Sequence, residues 1–109
     1  MSYSIIATPE FKKELKSLVK KYRSLKSEFS NLIDELKENP QQGTAIGHNC
    51  FKIRLAISSK GKGKSGGARV ITSVFITDKE VYLISIYDKS EKENISDTEI
   101  KKLIRNLGR

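Results

Sequence analysis

The hydrophobic residues change period partway along the chain, and that change limits the folds open to it. In the first part they recur at helical spacing, as Phe11, Leu15, Leu18, Val19 and Tyr22, then Leu25, Phe29, Leu32, Ile33 and Leu36. After Asn39-Pro40 and a stretch through Gly43 and Gly47, read as a loop, the repeat becomes two. There Phe51, Ile53, Leu55 and Ile57 alternate with Lys52, Arg54 and Ala56. With 109 residues in all, such a chain is expected to form one domain over 1–109, with helices packed on one sheet.

Local signals fill in the order. Tyr3 to Ala7 reads as a short strand. Thr8-Pro9-Glu10 opens a helix, with Thr8 as cap, Pro9 at the first helical position and Glu10 at the positive dipole end. A second helix follows after a short gap, which predicts a helical hairpin ending near Asn39-Pro40. Beyond the Lys52 strand, a Gly/Lys/Ser loop from Ser59 to Gly67 leads to a strand from Ala68 to about Thr77. Asp78-Lys79 turns the chain into a third run, Val81 to Tyr87, apolar on both faces as a central strand is. Ser96-Asp97-Thr98-Glu99 is a capping box, Ile95 and Ile100 form its staple, and Ile100, Leu103, Ile104 and Leu107 give the last helix a core-facing stripe. The expected fold is α+β, in the order β-α-α-β-β-β-α. An N-terminal strand and helical hairpin pack on a small, mainly antiparallel four-stranded sheet, with a C-terminal helix.

Several classes are disfavoured at once. No apolar run approaches the roughly 20 residues that span a bilayer. The start, Met-Ser-Tyr-Ser-Ile-Ile-Ala, lacks a basic region and a long enough apolar stretch for a signal peptide. One cysteine makes no internal disulfide, and no Cys/His cluster has zinc-site spacing. The expectation is a cytoplasmic protein with neither metal nor cofactor.

Charge is segregated. Lys and Arg total 21 and Asp and Glu 13, a net +8, yet from Asn39 to Thr77 there is no acid and there are six bases. These are Lys52, Arg54, Lys60, Lys62, Lys64 and Arg69. A solvated surface intersperses its signs, as both flanks do; a one-signed middle third is the footprint of a polyanion site. Lys52 and Arg54, two apart on a strand, share a face. Arg69 begins the next strand and Lys89 follows the one after, so antiparallel pairing brings these cations to the same end of the sheet.

Other features read more plainly. Gly63-Lys64-Ser65 suggests a phosphate loop, but the motif's first glycine falls on Ser58 and a strand follows where a helix is required. The loop lysines Lys60, Lys62 and Lys64 remain as contacts able to follow a phosphate backbone. His48, the one histidine, reads as a loop residue between Gly47 and Asn49 with no carboxylate near it in sequence. Cys50 reads as a small packing residue. Tyr87, at a strand end bordering the basic face, reads either as a packing residue or as a platform for a base.

Three segments together resemble the RelE/ParE superfamily of toxins from type II toxin–antitoxin modules, in particular its RelE-like HigB branch. They are Phe51-Lys52-Ile53-Arg54, the run Lys60 to Gly67 continuing Gly66-Gly67-Ala68-Arg69-Val70-Ile71, and Ile84-Ser85-Ile86-Tyr87-Asp88-Lys89-Ser90-Glu91. The resemblance implies a metal-independent endoribonuclease that cuts mRNA in the ribosomal A site and is held inactive by a cognate antitoxin. Any oligomer would form through that antitoxin. Lys52, Arg54, Arg69 and Lys89 match the family's basic site residues, and Lys60, Lys62, Lys64 and Tyr87 are the candidate RNA contacts. Lys89 stands where the best-known members have arginine, and Ile95 where they have a functional tyrosine. RNA carries its own nucleophile, the 2′-hydroxyl, so a site of cations alone suffices. Arg54 and Arg69 would stabilise phosphate charge, Lys52 would serve as base and Lys89 as acid. The superfamily also contains gyrase poisons of the same fold, and a non-catalytic nucleic-acid-binding module carries the same charge pattern.

Overall fold

The structure, a computed structural model, describes residues 2–61, 63 and 66–108. Its elements are β1 (Ser4–Ala7), α1 (Pro9–Lys21), α2 (Leu25–Glu38), β2 (Thr44–Gly47), β3 (Cys50–Leu55), β4 (Ala68–Phe75), β5 (Glu80–Asp88) and α3 (Asp97–Arg105), with a 3₁₀ turn at Ser58–Lys60. The local start signals act as expected. The Thr8 side chain accepts from the Phe11 N–H, Pro9 opens α1, and Ser96 and Glu99 form a reciprocal capping box on α3.

The strands form one five-stranded sheet in the order β1-β5-β4-β3-β2. Strands β2 to β5 make an antiparallel meander, while β1 joins β5 in parallel. The expected count of four strands is corrected by β2, in the stretch read as a loop. Thr44–Gly47 carries little apolar alternation, so period gives it no signal. It pairs because His48 and Asn49 both take positive φ, 56° and 60°, as a two-residue hairpin turn requires. β4 also ends at Phe75, short of Thr77.

The sheet buries both faces. Ile53, Ile57, Ala68, Val70, Leu83 and Ile86 meet Phe11, Leu18, Leu25, Leu32 and Leu36 of the helical hairpin. On the other side Cys50, Ile71, Ile84 and Tyr87 meet Ile95 and Ile100, with Leu103, Ile104 and Leu107 of the C-terminal segment packed alongside. The register between β4 and β5 shifts so that Ile71 faces Ser85 and Thr72 faces Leu83, leaving Ile84 as an extra residue. That bulge lets Leu83 and Ile86 share one core while Ile84 enters the other.

β1 covers β5 only as far as Leu83. Beyond it α1 runs beside the strand, and the Ile86 N–H donates to Glu14 Oε1 at 3.3 Å, with the Ser85 hydroxyl donating to the same oxygen at 3.3 Å. Burial raises the Glu14 pKa above its ordinary value, against the lowering effect of these two hydrogen bonds.

Candidate functional site

The β3–β4 register sets Arg54 directly opposite Arg69, and the β4–β5 register sets Arg69 opposite Tyr87. Lys52 lies two residues from Arg54 on the same pleat, and Lys89 follows the end of β5, its N–H donating to the Gly67 carbonyl at 3.0 Å. Lys52, Arg54, Arg69 and Lys89 thus converge, with Glu93 and Asn94, around a cleft of about 400 Å³. The two arginines face one another across adjacent strands, an arrangement that destabilises a sheet when judged by stability alone.

The four cations differ in their settings. Arg54 is exposed, whereas Arg69 is 4% exposed and donates from one terminal nitrogen to the Ala68 carbonyl at 3.1 Å. Burial, and then the Arg54 charge beside it, lower the Arg69 pKa from its ordinary value. Lys52 Nζ donates to Asn94 Oδ1 at 3.3 Å, and the same oxygen accepts the Ile95 N–H at 3.0 Å. Asn94 therefore ties the Lys52 ammonium to the approach of α3. Glu93 and Asn94 escape a reading based on charge runs; their only signal is their place just before the Ser96 cap.

Other candidates move away from the cleft. Lys60 points inward: its ammonium lies 2.7 Å from Asp88 Oδ1, with 7% of the Lys60 side chain and none of the Asp88 side chain exposed. Its reading as a loop contact for a phosphate backbone is corrected accordingly, because its charge is already satisfied inside the protein. Tyr87 is 6% exposed in the core beneath α3, and its hydroxyl has no hydrogen-bond partner among the described residues. Burial raises its pKa. Lys92 Nζ lies 5.4 Å from its ring centroid, and a residue so buried follows the packing reading in place of the platform for a base. Lys62 and Lys64 lie outside the described residues.

His48 sits at the β2–β3 turn, outside the residues that line the cleft. It has a carboxylate partner after all, Asp97 at the start of α3, with Nε2 and Oδ1 3.1 Å apart. Cys50 packs in the second core as expected, and burial raises its thiol pKa. Among the described residues no three His, Cys, Asp or Glu side chains gather to hold a metal ion, and no helix is long and apolar enough to cross a membrane.

A mixed sheet between a helical hairpin and a terminal helix, with a cleft lined by four cations at one end, defines an α+β protein. The chain matches the family described as the RelE toxin of the RelE / RelB toxin-antitoxin system over residues 8–108, and it belongs to that family. Two solved structures of E. coli RelE share the fold. A mutant in the free state matches at TM-score 0.65 and 19% identity, covering 98% of this chain and 99% of that one. The isolated toxin matches at TM-score 0.63 and 19% identity, covering 95% and 98%.

Proposed function

We propose that this chain, acting as one domain over 1–109, is a toxin that cleaves mRNA in the ribosomal A site without a metal and so halts translation. The observation that carries the reading is the convergence of Lys52, Arg54, Arg69 and Lys89 on one cleft within a chain of the RelE family. In the reaction, Lys52 serves as the base toward the RNA 2′-hydroxyl. The 2′-oxygen forms a bond to the adjacent phosphorus as the bond to the 5′-oxygen breaks. The products are a 2′,3′-cyclic phosphate and a 5′-hydroxyl, whose proton comes from Lys89. Arg54 and Arg69 hold the phosphate oxygens, whose negative charge grows in the transition state. The arginine pair is the larger contribution, since stabilising charge that develops in the transition state is usually the largest single effect.

Lys62 and Lys64 serve as contacts to the RNA backbone, and a cognate antitoxin covers the cleft until the toxin is released. The protein acts in the cytoplasm, and its oligomers form through the antitoxin. Brief induced expression tests the reading. Cleaved ribosome-bound mRNA supports it, accumulated DNA breaks replace it with gyrase poisoning, and neither lesion replaces it with a non-catalytic binding module.

A further inference from the structure

Asp88 is the one buried acid among the described residues, 2% exposed, and it lies between Tyr87 and Lys89 at the end of β5. Its carboxylate gathers three parts of the chain. Oδ1 accepts from Lys60 Nζ at 2.7 Å, from the Ser90 hydroxyl at 2.7 Å and from the Ser90 N–H at 3.0 Å. Oδ2 accepts from the Tyr22 hydroxyl, just past α1, at 2.6 Å. Its main-chain carbonyl accepts the Glu91 and Lys92 N–H groups, each at 3.0 Å. The Lys60 ammonium also donates to the Ser90 hydroxyl at 3.1 Å and lies 5.3 Å from the Tyr22 ring centroid.

The turn that carries Lys60 is itself pinned to the helical hairpin. Ser58 donates from its N–H and its hydroxyl to Glu28 Oε2 at 2.8 and 2.7 Å, and the Ser59 N–H donates to the Ser24 hydroxyl at 3.0 Å. On the opposite side, the Lys89 N–H reaches Gly67, where a Cβ would lie 2.2 Å from the Leu55 carbonyl oxygen. Lys89 therefore leaves the sheet between two fixed points, the Asp88 hub and the tight Gly67 approach.

We propose that Asp88 is a positioning residue for the cleft: by drawing Tyr22, Lys60 and Ser90 onto one carboxylate, it fixes the turn that presents Lys89 beside Arg69. Lys60 keeps that carboxylate from setting an unbalanced negative charge beside a phosphate site. The effect on turnover rests on the cleft being an RNA-cutting site; the effect on Lys89 does not. Burial works against the ionised carboxylate, and the hydrogen bonds from Lys60, Tyr22 and Ser90 outweigh it, holding the Asp88 pKa well below the usual carboxylate range.

The experiment pairs amide hydrogen exchange with cleavage kinetics on ribosomes programmed with mRNA, for the intact protein, Asp88→Asn and the milder Tyr22→Phe. Exchange at Lys89 and Ser90 is expected to accelerate more than at Val70 and Leu83, with Tyr22→Phe showing the smaller effect. Because a misplacement of about 1 Å costs up to about 10²-fold in rate, kcat should fall about 10–10²-fold while KM for ribosomes stays within about twofold. Lys89 and Ser90 exchanging in step with Val70 and Leu83 in both variants overturns the proposal. So does a local opening that leaves kcat unchanged. If the intact protein cleaves nothing while Lys89 opens selectively in the variants, the ribonuclease reading fails and the positioning of Lys89 stands.

Discussion

Lys60 and Arg54 come from the same acid-free stretch of sequence and end in opposite electrostatic settings. Lys60 is enclosed against Asp88, with hydrogen-bonding partners from the end of β5. Arg54 stands exposed, opposite a second arginine, at the mouth of a cleft. The first arrangement cancels charge inside the protein and the second gathers it for something outside. A run of cations in sequence is thus divided by the fold into a share paired inside the protein and a share gathered at a cleft. The division follows from which residues lie beside a carboxylate brought in from elsewhere in the chain.

The largest expected effect comes from breaking the internal pair. Lys60→Ala leaves the buried Asp88 without its cation and should cost about 3–5 kcal/mol, read as a lower urea midpoint. A loss of less than about 1 kcal/mol, the range of surface pairs, would place Lys60 back among the exposed cations. Next comes the outward side. Arg54→Ala should lower the cleavage rate about 10²–10³-fold, the usual result of removing one preset donor from a developing oxyanion. Its unfolding free energy should stay within about 0.5 kcal/mol of the parent. Full toxicity at equal expression would remove Arg54 from the site.

Acid sharpens the same contrast. The folded-state pKa of Asp88 lies below its unfolded value, so its stabilising contribution is fully present above the unfolded value, near pH 3.9. It is lost progressively as pH falls from there through the folded value. Urea midpoints measured at pH 7 and pH 3 should therefore fall further for the intact protein than for Asp88→Asn. Equal falls would show that the carboxylate is not held by its partners. The smallest effect concerns the remaining loop lysines. Replacing Lys62 and Lys64 with serine should flatten the salt dependence of ribosome binding by about 1.4–1.8 in slope, while Lys60→Gln leaves the slope unchanged. A slope that falls by about 0.7–0.9 for Lys60→Gln, the value of one phosphate contact, would erase the distinction between the two groups.

The parts legible in the sequence are those governed by neighbours along the chain. Thr8, Pro9, Ser96 and Glu99 announce helix starts because a cap and its partner lie within three or four residues. The alternation from Phe51 reports a strand, which ends at Leu55, because Ile53 and Leu55 pack toward the helical hairpin while Lys52 and Arg54 do not. β2 stayed hidden because its pairing depends on the backbone of His48 and Asn49, not on hydrophobic period. The fate of Tyr87 depends on where α3 docks, and that of Lys60 on a carboxylate 28 residues away. The four cleft cations were legible together because antiparallel pairing is local geometry once the strands are placed. Glu93 and Asn94 were not, since their position depends on how the chain travels from β5 to α3.

Glu14 has a consequence for how this protein keeps company with its own copies. Among the described residues the stretch of β5 beyond Leu83 has no neighbouring strand on its outer side, where α1 runs instead, and an uncovered strand edge is a template on which a second chain can stack. A carboxylate already occupies the Ile86 N–H there, so an incoming strand would have to displace a charged group and leave it stranded at the new junction. With α1 alongside, that side chain takes the hydrogen bond a neighbouring strand would otherwise take, one of the ways a sheet edge is closed to further pairing.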